Sequence, residues 1–76
     1  MNRKVYHVEL YKKINNSFIL NENEKLTSKE AGVKSFNNYI DEYYLTGEPV
    51  ERLEEHNEFI WRLKTDKYLL ILRKDF

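Results

Sequence analysis

The chain lacks the residues that most often hold a small protein together. It contains no cysteine, so disulfides and thiolate metal sites are excluded and a reducing, cytoplasmic location is expected. With two glycines and one proline, it has no glycine-rich loop that could hold a phosphate. It also has no run of about 18 apolar residues and no apolar signal core after Met1. We therefore predict a protein without a membrane partner.

Residues suited to catalysis or metal binding are also scarce. His7 shares a predicted strand face with Glu9, and His56 lies in a charged turn; neither has the spacing of a metal-ligand pair. No nucleophile is flanked by an evident base, and exposed carboxylates are poor general acids. We predict a protein that is not an enzyme and that has no cofactor and no metal site.

Apolar residues are present in the amount that a folded core requires. Hydrophobic residues make up 41% of the chain and aromatic residues 14%, which is too much for a disordered tail. A length of 76 residues predicts a single domain over 1–76. A closed pocket of about 300 Å³ would consume that core, so we expect the functional surface on the outside.

The N-terminal third has the pattern of a β-hairpin. Residues 5–12 alternate between more and less apolar side chains, which is typical of a strand. Asn15 and Asn16 form a turn signal, and residues 17–20 return as a second strand. Residues 21–25 are predicted to be a polar loop.

The middle of the chain has the pattern of a helix over residues 28–46. Thr27 and Glu30 have the spacing of a capping box. Gly47 suits the position after the last turn, and Pro49 prevents the helix from continuing. The apolar stripe comprises Val33, Phe36, Ile40 and Tyr43.

Residues 58–76 are strand-like and predict a second hairpin. With an even-numbered loop around Thr65, Trp61 would face Leu70; an odd-numbered loop would place Trp61 opposite Ile71. Both registers remain open. The predicted fold is α+β, a β-β-α-β-β domain in which one main helix covers one face of a four-stranded antiparallel sheet.

Residues 49–57 allow several interpretations. Pro49 fits a first helical position, and Val50 and Leu53 lie three apart, which predicts a short second helix. The alternatives are a loop, or a longer helix that continues through Lys64 and leaves the last strand without its hairpin partner.

Formal neutrality conceals an uneven distribution of charge. Residues 1–13 carry roughly +3, residues 36–60 roughly −6 and residues 61–76 roughly +3. We expect the carboxylates of the middle segment to form an acidic face that binds a protein partner with a basic surface. The predicted binding residues are Asp41, Glu42, Glu48, Glu51, Glu54, Glu55 and Glu58.

Three functional hypotheses follow. The first is a small interaction module or inhibitor that docks through the acidic face, in a sharper version a phage or mobile-element protein that imitates nucleic-acid phosphates. The second is nucleic-acid binding by aromatic and basic residues of the sheet: Tyr11, Lys12, Arg62 and Arg73. The third is a structural homo-oligomer, for example a homodimer, joined through apolar residues that point away from the helix: Val5, Ile60, Leu69 and Ile71.

Overall fold

The computed structural model describes residues 5–75, which form an antiparallel sheet of five strands with a single α-helix packed on one face. The α+β prediction is confirmed, but the sheet has one strand more than predicted. The strand order is β2-β1-β5-β4-β3. The elements are β1 (Val5–Ile14), β2 (Ser17–Leu26), α1 (Lys29–Glu42), β3 (Glu51–Glu55), β4 (Glu58–Lys64) and β5 (Tyr68–Asp75).

The first hairpin turns where the sequence predicts. Asn15 and Asn16 have φ angles of 51° and 67°, the left-handed conformation that a two-residue hairpin loop requires. Strand β2 is longer than predicted, because its register shifts beside Leu10 and leaves Asn21 as an extra residue. The predicted loop at residues 21–25 is therefore wrong.

Helix α1 begins one residue later than the predicted cap. The Ser28 hydroxyl, rather than Thr27, accepts a hydrogen bond from the Ala31 amide at 3.1 Å. The buried residues of the helix are Gly32, Ser35, Phe36 and Tyr39. Three members of the predicted stripe pack at the margins of this face: Val33, Ile40 and Tyr43.

The close approach of α1 to the sheet explains the glycine inside the helix. A Cβ atom on Gly32 would lie 3.0 Å from Leu72 Cδ1 and 3.4 Å from Tyr6 Cβ. Leu72 has no exposed surface, so its methyl group has little room to move.

Residues 51–55 form a strand, so both the predicted second helix and its extension through Lys64 are wrong. Strand β3 pairs with β4 across a turn at residues 56–57. This pairing satisfies backbone groups on one side of β4. It also places Arg52 over the Trp61 ring, with the guanidinium carbon 4.5 Å from the ring centroid.

The final hairpin differs from both predicted registers. Trp61 lies opposite Leu72, and Leu63 lies opposite Leu70. Relative to the even-loop prediction the partner has moved by two residues, which preserves the face of every side chain. The turn is tight because the Thr65 hydroxyl accepts from the amide of Tyr68 at 2.9 Å.

The two faces of the sheet have different environments. We call the face toward α1 the inner face and the opposite one the outer face. The inner face and the helix form the core, together with Leu45 from the loop after α1. The buried hydrophobic residues of this core are Tyr6, Val8, Leu10, Phe36, Tyr39, Leu45, Phe59, Leu63, Leu70 and Leu72.

Replacing Gly32 with leucine should lower the free energy of unfolding by about 1–3 kcal/mol, because the larger side chain must displace the packed Leu72. Urea denaturation followed by circular dichroism measures the change. Lys34→Leu, at an exposed position of the same helix, is the matched control and should change stability by no more than about 0.5 kcal/mol. Equal effects of the two substitutions would contradict the close approach.

Candidate functional site

The C-terminal end of α1 is closed by backbone hydrogen bonds. The Leu45 amide donates to the Ile40 carbonyl at 2.8 Å, and the Tyr44 amide donates to the Asp41 carbonyl at 3.4 Å. Leu45 is buried just beyond this end. The geometry matches a helix stop in which one residue after the cap adopts a left-handed conformation.

Tyr44 occupies that left-handed position, with φ of 56°. The sequence predicts the stop at Gly47 instead, but the helix already ends at Glu42 and Gly47 lies in the following loop. A side chain larger than glycine is unfavourable at such a position. Among residues 5–75, the other non-glycine residues with positive φ are asparagines, which tolerate it better.

Packing of the Tyr44 side chain does not offset the cost of this backbone conformation. Its relative exposure is 90%, the highest of the large hydrophobic residues that are exposed. A tyrosine so placed offers a large, rigid surface to a partner.

The last turn of α1 is acidic, although cations are preferred there. Asp41 and Glu42 are exposed, and the last turn contains no basic residue. Each carboxylate is unfavourable by about 0.3–1 kcal/mol relative to a cation at this end of the helix dipole. Tyr44 and these two carboxylates therefore combine three locally unfavourable choices within four residues.

An open cleft of about 560 Å³ lies beside this end of the helix. The Tyr43 and Tyr68 rings, 5.3 Å apart between centroids, belong to its lining. Charged residues of both signs also line it: Glu48, Lys64, Asp66 and Lys67. The cleft therefore offers aromatic surface and mixed charge next to the acidic turn.

The seven predicted acidic residues divide into two groups. Asp41, Glu42 and Glu48 lie at or just after the C-terminal end of α1, whereas the other four belong to the β3–β4 hairpin. Glu54 of that hairpin contacts Lys29 at the start of the helix. The two ends of α1 are about 20 Å apart at 1.5 Å per residue, which exceeds the screening length of about 8 Å in physiological salt. The structure does not unite the seven in a single face.

Part of the hairpin group is already paired. Glu51 accepts from Arg62 at 3.0 Å, and Glu54 accepts from Lys29 at 3.0 Å. Glu55 and Glu58 are exposed and lie directly opposite each other, with no ion pair to any residue in the described range 5–75. Like charges opposite each other destabilise a strand pair.

The predicted nucleic-acid residues are only partly brought together. Tyr11, Arg62 and Arg73 lie on the outer face, but Lys12 alternates with Tyr11 and so belongs to the opposite side of β1. Arg73 donates to Glu9 at 3.0 Å and to Asp75 at 2.8 Å. Both arginines of this set are therefore engaged by carboxylates.

Hydrogen bonding, charge and burial shift three pKa values in this outer-face network. The hydrogen bond to Glu9 raises the pKa of Arg73. The hydrogen bond from His7, at 2.6 Å, lowers the pKa of the exposed Asp75 carboxyl. Burial raises the pKa of Tyr11, and the charge of Glu9 acts in the same direction. The charged groups of this network are bonded to one another and are therefore less available to bind a ligand.

The four residues of the predicted dimer face do lie on the outer face: Val5, Ile60, Leu69 and Ile71. Each is half-buried by its sheet neighbours. Strand β3 continues the sheet at its edge and does not fold over them. No segment of the described range 5–75 forms a second layer on this side.

A polar seam between α1 and β2 has no counterpart in the sequence predictions. The Ser35 hydroxyl donates to Glu24 Oε1 at 2.8 Å, and the Tyr43 hydroxyl donates to Glu22. Both carboxylates face the helix because the bulge at Asn21 reverses the alternation of β2. A pattern of Asn and Glu in residues 21–24 carries no signal for such a bulge, so only the paired strands reveal it.

Burial in this seam raises the pKa of Tyr39 to about 12, and the charges of Glu24 and Glu22 act in the same direction. The neutral phenol is therefore favoured in the folded protein over the unfolded chain, where the pKa is about 10. Its contribution to stability is complete below pH 10 and is lost as the pH rises through 12.

Comparison with known proteins provides no relative on which to base a function: no protein-family model, no curated protein and no solved structure matches this chain. Within residues 5–75, no helix is long and apolar enough to cross a membrane. The same residues contain no group of three or more histidine, aspartate or glutamate side chains placed to hold a metal ion. The function must be argued from the surface itself.

Tyr39→Phe should reduce the loss of stability in alkali. Between pH 9 and pH 11.5, the unfolding free energy of the native chain should fall by up to about 2 kcal/mol more than that of the variant. Urea denaturation at the two pH values measures this difference. Tyr44→Phe changes an exposed phenol and should follow the native chain. Identical pH dependence in native protein and Tyr39→Phe would show that the seam does not hold the Tyr39 phenol neutral.

Proposed function

We propose that this chain is a small, non-enzymatic protein-interaction module that docks on a basic surface of its partner through the C-terminal end of α1. The site consists of Asp41, Glu42, Tyr44 and Glu48. The observation that carries the proposal is Tyr44, which is 90% exposed in a backbone conformation unfavourable to tyrosine.

The concentration of unfavourable features supports this choice of site. A left-handed tyrosine and two carboxylates at the negative end of a helix all reduce stability, and no side-chain hydrogen bond or ion pair within residues 5–75 offsets them. Such features cluster where a protein binds a partner, because the partner supplies the missing interactions.

The chemistry of the site suits a partner with arginine and aromatic residues. Carboxylates accept paired hydrogen bonds from an arginine side chain, and an exposed tyrosine can act as the anchor of an interface. The separation of the acidic residues into two groups favours local docking over a continuous imitation of a phosphate backbone. An inhibitor that blocks a small basic patch fits this geometry.

The proposal predicts variants that are more stable but bind less. Asp41→Lys with Glu42→Lys should raise the unfolding free energy by about 0.6–2 kcal/mol, and Tyr44→Gly should raise it by about 0.5–1 kcal/mol. Each should nevertheless reduce capture of the partner from a lysate of the native host by at least tenfold. Quantitative mass spectrometry of the captured proteins measures the loss.

Glu30→Lys with Glu54→Lys is the matched control for charge. It makes the same change in net charge at the opposite end of α1 and should capture the same proteins as the native chain. If the stabilised variants captured their partners undiminished, the helix end would not be the docking site.

A second candidate function is binding of single-stranded nucleic acid on the outer face. The Phe18 ring supports it, since Lys13 Nζ and Lys64 Nζ lie 5.8 Å and 5.7 Å from its centroid and Tyr11 lies in the adjacent strand. Such a basic, aromatic corner can stack bases and neutralise phosphates.

Gel-shift titration with a 20-nucleotide single-stranded DNA distinguishes this candidate from the first. Binding should weaken steeply between 50 and 200 mM salt and should be lost in a Lys13→Ala, Lys64→Ala variant. Absence of a shift at 50 mM salt would eliminate nucleic acid as the ligand.

A further inference from the structure

An apolar band crosses the outer face from one edge of the sheet to the other. Leu53 lies opposite Ile60 in the β3–β4 pair, and Ile71 is the diagonal neighbour of Ile60 in β5. The band continues through Leu69 and the residues paired across from it, Tyr11 and then Leu20. Leu53 and Leu20 are 37% and 45% exposed at its two ends.

Charges of opposite sign lie at two corners of the outer face that are diagonal to each other across the sheet. Glu55 and Glu58 lie at the end formed by the β3–β4 turn, and no ion pair to them exists among residues 5–75. Lys13 and Lys64 flank Phe18 at the opposite end. Glu58 and Lys64 are six residues apart in β4, about 20 Å at 3.3 Å per residue. This distance exceeds the screening length of about 8 Å in physiological salt, so the charges at the two ends do not neutralise each other.

We propose that the outer face is covered by a second copy of this chain, in a symmetric dimer whose two-fold axis lies between the sheets and perpendicular to the line that joins the two charged corners. This operation approximately reverses the strand direction of one copy relative to the other, and the strands of the two sheets cross at an angle. The acidic end of each sheet then lies over the basic end of its partner, and the two apolar bands cross at the centre.

Self-complementarity favours a copy of the chain over an unrelated partner. A two-fold interface requires one surface to fit itself, and the opposed acidic and basic ends meet that condition without any further residue. The available area is also adequate. Five strands spaced about 4.8 Å apart and about 25 Å long present roughly 600 Å² per copy, and the total of roughly 1,200 Å² is at the lower limit for specific interfaces.

The edges of the sheet are less suited to a partner than its outer face. All five residues of β3 are exposed, and four of them are charged, which discourages strand addition. At the other edge, the bulge at Asn21 interrupts β2. Stacking of two sheets about 10 Å apart, as in a β-sandwich, avoids both edges. It also leaves the C-terminal end of α1, on the other side of the sheet, free for the docking proposed above.

Two charge-reversed variants test the arrangement. Lys13→Glu with Lys64→Glu makes both ends of the outer face acidic, and Glu55→Lys with Glu58→Lys makes both ends basic. Each variant alone should dimerise at least about 30-fold more weakly than the native chain, because four attractive contacts per dimer become repulsive. An equimolar mixture should form a heterodimer, since every acidic end then meets a basic one.

Sedimentation velocity at concentrations from 5 to 500 μM measures these masses against the chain mass of 9.3 kDa. The native chain and the mixture should both approach twice that mass, whereas each variant alone should remain near it. Lys12→Glu with Lys34→Glu makes the same charge change away from the outer face and should dimerise as the native chain does. Circular dichroism confirms that each variant is folded.

Three results would overturn the proposal. A native chain that stays at 9.3 kDa throughout this range has no such dimer, and if it also shifts single-stranded DNA, nucleic acid is the occupant of the outer face. Reversals that leave the dimer unchanged would place its interface elsewhere. Variants that are monomeric alone and remain so when mixed would refute the pairing of acidic with basic ends.

Discussion

The pairing of β1 with β5 is the interaction on which the rest of the structure depends. These two strands lie more than fifty residues apart in the chain, and their hydrogen-bonded pairing joins the first hairpin to the last three strands in the described sheet. Their inner-face residues Val8, Leu10, Leu70 and Leu72 have no exposed surface. Without this pairing, each half would be a small ribbon of marginal stability. Gly32 permits the backbone of helix α1 to lie close to Leu72 on the joined strands.

The single helix packs on the inner face of the sheet, and no segment of the described range 5–75 covers the outer face. The chain places a charged network there, in which Arg73 bridges Glu9 and Asp75, and an apolar band beside it. Charged residues and a bulge protect the two edges from strand addition. The outer face and the end of α1 are therefore the two surfaces that we propose for recognition. At the end of α1 the isolated chain has a locally unfavourable backbone and charges, and on the outer face it has an uncovered apolar band.

The end of α1 illustrates how stability and recognition can oppose each other. Glycine at position 44 and cations at positions 41 and 42 would make a better helix terminus, yet the chain has tyrosine and two carboxylates there. Phe36 within the helix and Leu45 just after its end are nevertheless buried in the core. A small domain with little stability to spare makes such choices costly, which supports the proposed docking site at this end of the helix.

Local patterns were sufficient where the cause of a structure is local. The Asn15-Asn16 turn and the alternation of β1 follow from backbone preferences and from the period of a strand, and the helix follows from its apolar spacing. The same holds for the inward orientation of Trp61, Leu70 and Leu72, since a shift of two residues in register does not change a face.

Contacts distant in sequence decided the rest. Residues 51–55 became a strand because β4 had an unpaired edge, although Val50 and Leu53 have helical spacing. The bulge at Asn21, the stop at Tyr44 and the division of the carboxylates into two groups all depend on what the folded chain places beside them. The sequence by itself determined the types and faces of most elements, because side-chain periodicity is local. Only the tertiary structure decided the fifth strand, the register and the site, because these depend on pairing between segments that meet only after folding.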